Sequence, residues 1–192
     1  MNDQPLHVAV IVGSTREGRF GDKVAGWFVG QAGQRADMAL DVIDLAELDL
    51  PAVYPAEHTP EVADYVGRIG HADAFVVVTP EYNHAYPASL KQAIDLPRTE
   101  WRRKPVAFVS YGGIGGGLRA VEQLRQVFPE LHAMTVRDVV SFHGRWGLFD
   151  GSGEPREDTG CDAAAKVMLD DLAWWAHTLR RARNEPAAAA GA

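Results

Sequence analysis

The chain has a single cysteine among its 192 residues, which excludes an intrachain disulfide and a metal site built from several thiolates. It also lacks an excess of positive charge. It contains 19 Lys and Arg residues and 26 Asp and Glu residues, which give a net charge of −7. We therefore expect no nucleic-acid partner. No apolar run approaches the roughly 18 residues that span a bilayer, and the first residues carry no basic leader. We expect a cytoplasmic protein without a membrane partner.

Short apolar runs dominate the first two thirds of the chain. Five of them predict β-strands, at residues 6–12, 39–45, 74–78, 105–109 and 133–140. The first, third and fourth are apolar without alternation, which is typical of parallel strands covered on both faces. The second run contains Asp41 and Asp44, which indicates a strand nearer the edge of the sheet.

Helical periodicity fills the intervals between these runs and continues after the last one. Thr59, Pro60 and Glu61 are a strong helix start, with a capping hydroxyl, a proline in the first turn and an early acid. The alternation predicts one doubly wound α/β domain over residues 1–184, followed by a disordered tail at 185–192. Residues 141–160 are predicted to form a long loop.

The segment at 13–21 joins the first strand to the first helix and has phosphate-binding chemistry. It combines three glycines with Ser14, Thr15, Arg16 and Arg19. Backbone N–H groups at a helix N-terminus attract phosphate, and arginine matches its geometry. The segment is neither a Walker loop nor a dinucleotide fingerprint. An ordinary glycine-serine turn is the alternative.

Two further segments follow the third and fourth strands. Residues 79–87 contain Tyr82 and Asn83, a planar ring and an amide suited to holding a flat heteroaromatic molecule, although such loops are often plain turns. Residues 112–117 contain five glycines, which permit close backbone approach or simple flexibility. In a parallel sheet of order 2-1-3-4-5, all three segments lie at the edge where such sheets bind ligands.

Taken together, these segments resemble the NADPH-dependent FMN reductase family, which includes flavin, quinone, azo-dye and chromate reductases. The resemblance spans about residues 6–128, and its most specific part is Pro80-Glu81-Tyr82-Asn83 followed by Leu90-Lys91-Gln92-Ala93-Ile94-Asp95. It implies a single flavodoxin-like domain with a five-stranded parallel sheet of order 2-1-3-4-5. It also implies FMN as cofactor, NADPH or NADH as electron donor, and a small-molecule acceptor.

The same resemblance implies a set of cofactor-binding residues from the three segments: Ser14, Arg16, Arg19, Phe20, Gly21, Pro80, Glu81, Tyr82, Asn83, Ser110, Gly112 and Gly113. The chain departs from the family pattern at four positions. Arg19 and Gly21 stand where many members have Ser and Asn, Ala85 replaces a frequent Ser, and Gln92 replaces a frequent Asn.

No other residues predict a catalytic acid, base or metal site. The seven histidines show no metal-binding spacing, and Phe108 stands where a nucleophile elbow around Ser110 needs glycine. We expect the flavin to carry the chemistry. Two alternatives remain at this point: a flavodoxin-like electron carrier with protein partners, and a nucleotide-binding hydrolase or transferase of similar architecture.

A homodimer or a dimer of dimers is expected, with the flavin near the subunit boundary. A flat ring on a sheet edge leaves one face open, and a one-domain chain has no second wall to cover it. Trp101, Trp146 and Phe149 fall in predicted loops, where large aromatics are typical of interfaces. The alternative is that these rings fold back onto their own subunit. The family resemblance also implies assembly.

Overall fold

Five strands and five helices alternate along the computed structural model, which describes residues 4–144, 149–150, 155 and 160–185. Their bounds are β1 Leu6–Val12, α1 Gly21–Ala32, β2 Met38–Asp44, α2 Pro60–His71, β3 Ala74–Pro80, α3 Ala88–Asp95, β4 Pro105–Tyr111, α4 Leu118–Glu130, β5 Met134–Phe142 and α5 Cys161–Asn184. Except for Glu185, the predicted tail lies outside the described residues.

All five strands are parallel and their order is β2-β1-β3-β4-β5, which confirms the predicted topology. Every residue of β3 and β4 is buried, whereas the edge strand β2 is only partly buried. Strand β5 ends at Phe142, two residues beyond the predicted end. Its pairing with β4 continues through Ser110 opposite Ser141 and Tyr111 opposite Phe142.

The helices cover both faces of the sheet. Helices α1 and α5 pack on one face and α2, α3 and α4 on the other, each side with its own apolar core. Helix α2 begins as predicted, because the Thr59 hydroxyl accepts a hydrogen bond from the Val62 amide at 3.3 Å. In the described ranges, no helix combines the length and apolar content needed to cross a bilayer.

Two aromatics expected to face a partner are instead part of the core, so that expectation was wrong. Trp101 is fully buried, and its indole N–H donates to the Ile94 carbonyl at 3.0 Å. Phe149 is 5% exposed and packs on Phe20 and Phe142, with both ring centroids 5.2 Å away. Both rings therefore bury apolar surface within their own subunit and stabilise its fold. Trp146 lies outside the described residues.

At the edge of the sheet where the strands begin, the carboxylate of Asp73 links α5 to the strands. It accepts hydrogen bonds from Arg183 at 2.9 Å, Arg180 at 3.2 Å and the His7 amide at 3.2 Å. The side chains of Asp73, Arg180 and Arg183 are only 11%, 14% and 19% exposed. One buried acid therefore balances two nearly buried guanidinium groups.

Asp73→Asn is expected to destabilise the fold without changing the size of the side chain. It removes the charge that compensates Arg180 and Arg183, and breaking such a poorly solvated cluster costs about 2 kcal/mol or more. Urea unfolding measures the change. Asp49→Asn, at an exposed acid, is the matched control and should stay close to the wild type. An Asp73→Asn free energy of unfolding equal to that of the control would contradict this role.

Candidate functional site

Three loops meet at the carboxyl edge of the sheet because main-chain hydrogen bonds extend the strand pairing beyond the strands. The Gly13 amide donates to the Val78 carbonyl at 2.9 Å. The Glu81 amide donates to Tyr111 at 3.0 Å, and the Gly112 amide donates to Phe142 at 3.1 Å. The three predicted segments, after β1, β3 and β4, are therefore held side by side.

The first loop presents backbone donors next to the N-terminus of α1. Within the part of the chain that the structure describes, the amides of Thr15, Arg16, Glu17 and Gly18 donate to no protein acceptor. Ser14 is fully buried, and its hydroxyl lies 2.7 Å from the Tyr82 hydroxyl, which links this loop to the second one. Free amides at a helix N-terminus favour an anionic ligand.

The two arginines of the first loop have different surroundings. Arg19 donates twice to Asp44, at 2.6 and 2.5 Å, and its Nε lies 2.5 Å from Asp22. Hydrogen bonding to Asp44 is the main cause that raises the pKa of Arg19. Arg16 is exposed and lies over the Tyr82 ring at 4.7 Å, with no acidic partner among the described residues. Arg16 therefore supplies the uncompensated positive charge of this loop.

Phe20 and Gly21 form the start of α1 against Tyr111. The Phe20 and Tyr111 ring centroids are 5.9 Å apart. A Cβ on Gly21 would lie 2.7 Å from the Tyr111 hydroxyl, so a larger residue at this position requires Tyr111 or the loop to shift. That hydroxyl is buried and has no hydrogen-bond partner in the described structure, and burial raises the pKa of Tyr111. A buried phenol is thus left with a free donor beside the first loop.

The second loop is a tight hairpin turn that exposes Asn83. The Tyr82 amide donates to Ala85 at 2.8 Å, and the Ala85 amide donates back at 3.0 Å. Asn83 and His84 have φ values of 50° and 68°, the left-handed conformation that such two-residue turns require and that Asn tolerates well. The Asn83 side chain is exposed, and its amide has no hydrogen-bond partner among the described residues.

Glu81 connects the second loop to the third through α4. Its carboxylate lies 2.5 Å from the Arg119 guanidinium and accepts from the Arg119 backbone amide at 3.3 Å. The acid therefore caps the N-terminus of α4. Its side chain is 9% exposed, against 46% for Arg119.

The third loop brings main chain to the site. Gly112 and Gly113 line the opening, and a Cβ on Gly113 would meet nothing within 4 Å. Ser110 instead points into the protein. It is fully buried and donates to the Gly116 carbonyl at 2.9 Å. Ser110 therefore anchors the glycine-rich loop on the side that faces the protein interior.

These loops enclose a cleft of about 290 Å³ lined by Tyr111 and seven of the predicted residues: Arg16, Pro80, Glu81, Tyr82, Asn83, Gly112 and Gly113. The other five predicted residues, Ser14, Arg19, Phe20, Gly21 and Ser110, support its walls. A larger cleft of about 440 Å³ lies between α1 and α5. Its charges pair with one another, as Arg35 does with Asp170, so it offers less to a charged ligand. No group of three potential metal ligands occurs in the described ranges.

Sequence reasoning missed three residues that shape this site. Tyr111 ends β4 between two residues that were singled out, and its position at the carboxyl end of a strand was a usable signal. Arg119 is the second residue of α4, directly after the glycine-rich loop. The pairing of Asp44 with Arg19 joins the ends of two segments 25 residues apart, and nothing in the local sequence marks it.

Comparison with known proteins places this architecture among flavin-dependent oxidoreductases. The family model for NADPH-dependent FMN reductase matches residues 6–147. An NAD(P)H-dependent FMN reductase of Schizosaccharomyces pombe is 39% identical over 133 residues, which cover 62% of this chain and 64% of that protein. A quinone reductase of Pseudomonas putida is 33% identical over 185 residues, covering 90% of this chain and 95% of that protein.

The fold has solved counterparts as well. The flavoenzyme NAD(P)H:(acceptor) oxidoreductase of Paracoccus denitrificans superposes with a TM-score of 0.69 at 24% identity, over 90% of this chain and 98% of that one. This likeness concerns the fold alone. The family match covers well over half of the 192 residues and includes all three loops of the cleft. This chain therefore belongs to the NADPH-dependent FMN reductase family.

Proposed function

We propose that the protein binds FMN in the cleft, takes reducing equivalents from NADPH or NADH, and passes them to a small acceptor. The acceptor classes are a second flavin, a quinone, an azo compound or a metal oxyanion. The observation that carries the proposal is that Arg16, a cation without an acidic partner among the described residues, lines the cleft together with Tyr82 and Asn83, next to the free loop amides at residues 15–18. Family membership supports the same reading.

The first loop fits the phosphate of FMN. Its free amides, at residues 15–18, and the Arg16 guanidinium supply donors and positive charge at the amino end of α1. Arg19 is bound to Asp44 and Asp22, so its part is to fix the loop through its bond to the Ser14 carbonyl at 2.6 Å. At the start of α1, Phe20 packs on the Tyr111 ring, and Gly21 has no side chain that would crowd the Tyr111 hydroxyl.

The second and third loops fit the ring system. Pro80, Glu81 and Tyr82 form one wall, and Gly112 and Gly113 form the other. The free Asn83 amide offers both donors and an acceptor to the edge of a heteroaromatic ring. Ser110 keeps the glycine-rich wall in place from behind.

When bound, FMN supplies the hydride and electron chemistry that protein side chains lack. The residues of this chain bind it, orient it and exclude water from one side of it. No described side chain in the cleft needs to act as an acid or base for this. NAD(P)H and the acceptor reach the open side of the cleft in turn. Because NAD(P)H is an intracellular reductant, we propose that the protein acts in the cytoplasm.

Binding and turnover test the proposal directly. Purified protein mixed with FMN is expected to bind it at micromolar concentration, as followed by quenching of flavin fluorescence. The loaded protein is expected to oxidise NADPH or NADH in the presence of a soluble quinone. Preferential binding of FAD or ATP, or a flavin-loaded protein that does not oxidise either nicotinamide, would contradict the proposed function.

Arg16→Ala is expected to weaken FMN binding much more than riboflavin binding, because riboflavin has no phosphate. Loss of a charge-assisted contact costs about 1.5–3 kcal/mol, or about 10-fold to 150-fold in Kd. Arg137→Ala, at a guanidinium that is 93% exposed on β5, is the matched control. Equal weakening of both flavins in Arg16→Ala would remove Arg16 from the phosphate site.

We also propose that the protein forms a homodimer or a dimer of dimers, with the cleft beside the subunit boundary. One side of the cleft is open, and a flat ring bound there needs a second wall to exclude water during hydride transfer. Ile114, in the glycine-rich loop, is 96% exposed. An isoleucine so exposed beside a cleft suits a surface that a second copy covers.

Sedimentation of the flavin-loaded protein is expected to show a species of at least twice the chain mass of 20.9 kDa. Ile114→Glu is expected to shift it toward the monomer and lower turnover. Trp174→Glu, at a residue 59% exposed on α5, is the control and should leave the assembly intact. A stable monomer with full reductase activity would contradict the shared site.

A further inference from the structure

Two side chains of α4 contact the second loop on either side of Asn83. The guanidinium of Arg119 lies 2.5 Å from the carboxylate of Glu81, and the side-chain amide of Gln123 donates to the His84 carbonyl at 2.8 Å. Because residues four apart lie on the same face of a helix, one face of α4 reaches the loop at both points. Neither of these α4 residues was predicted to bind the cofactor, and neither lines the cleft.

The hairpin turn at residues 82–85 depends on support from outside. Asn83 and His84 both have positive φ, at 50° and 68°, a conformation that costs free energy in residues other than glycine. The two main-chain hydrogen bonds of the turn join Tyr82 and Ala85 to each other. Within the described chain, no main-chain hydrogen bond links residues 82–85 to another segment. The position of the turn relative to the cleft is therefore set by side-chain contacts.

These side-chain contacts act on different parts of the turn. The Tyr82 hydroxyl lies 2.7 Å from the Ser14 hydroxyl, so the first loop holds the ring that precedes the turn. After Tyr82, the bond from Gln123 ties the turn to another element of the described structure. Asn83 lines the cleft, and its exposed side chain has no hydrogen-bond partner among the described residues. The place of this free amide therefore depends on Gln123.

Arg119 holds the start of the same loop. The side chain of Glu81 is 9% exposed, and a carboxylate so poorly solvated needs a charged or hydrogen-bonding partner. The ion pair also lies against the glycine-rich loop, because a Cβ on Gly115 would meet Arg119 at 2.7 Å and Glu81 at 3.0 Å. Arg119 and Glu81 therefore join the two walls of the cleft at the start of α4.

We propose that Arg119 and Gln123 are positioning residues, which hold the second loop so that the Asn83 amide meets the edge of the flavin ring. This role rests on the proposed function in one respect, that the ring lies against Asn83. Because both residues act through the wall that faces the ring, their loss affects FMN and riboflavin alike. That separates them from Arg16, whose proposed contact is with the phosphate.

Amide hydrogen exchange, followed by NMR, tests the contact from Gln123 without any flavin. In Gln123→Ala the amides of Tyr82 and Ala85, which donate across the turn, are expected to exchange about threefold to tenfold faster, the equivalent of one hydrogen bond. Gln126→Ala, at an exposed glutamine of the same helix, is the matched control and should exchange as the wild type does. Unchanged exchange in Gln123→Ala would overturn the positioning role, whatever the protein binds.

The effect on the site is measured as Kd for FMN and for riboflavin. Gln123→Ala is expected to weaken both flavins by the same factor, about threefold to tenfold, and Gln126→Ala to match the wild type. In an Asn83→Ala background, where the positioned amide is already gone, Gln123→Ala is expected to change either Kd by less than about twofold. An equal loss with and without Asn83, or a loss confined to FMN, would contradict the proposal.

The charge on Arg119 is tested by rescue. Arg119→Met is expected to weaken both flavins about threefold, and Arg119→Lys, which keeps a cation for Glu81, to recover most of that loss. A loss that lysine does not recover, or no loss in either variant, would take Arg119 out of this role. Failure of the wild type to bind either flavin would instead overturn the proposed function, while hydrogen exchange still reports whether α4 holds the turn.

Discussion

The site depends on hydrogen bonds that carry the parallel sheet one residue past its strands. Gly13, Glu81 and Gly112 each donate a backbone proton to the neighbouring chain segment where the regular ladder stops. Because β1, β3 and β4 are adjacent and parallel, these bonds fix three otherwise irregular loops at nearly the same level. The cleft is therefore built on strands that are buried and paired with one another.

Charge in the cleft is divided between groups that build the walls and groups that stay free. Arg19 is saturated by Asp44 and Asp22, and Glu81 is committed to Arg119 at the start of α4. Arg16 and the adjacent amides have no such partners within the described chain. In the proposed complex, the FMN phosphate meets donors that no other described group of the protein occupies.

The sheet was predictable because strands covered on both faces show unbroken apolar runs, and the strand order and family are confirmed. The sequence could not separate Arg16 from Arg19, because the acid that neutralises Arg19 lies at the end of β2. The prediction that Trp101 faces a partner was wrong, because a short turn has no periodicity that shows which way its side chains point. Roles of individual cleft residues toward FMN remain predictions.

A structure of crystals soaked with FMN tests most directly the central claim, that FMN binds in the cleft with its phosphate at the first loop. The account predicts the flavin phosphate within hydrogen-bond distance of the amides at residues 15–18 and of Arg16. The ring is then expected between Tyr82 or Asn83 on one side and Gly112 or Gly113 on the other. A phosphate bound at the glycine-rich loop instead, or flavin in the cleft between α1 and α5, would contradict it.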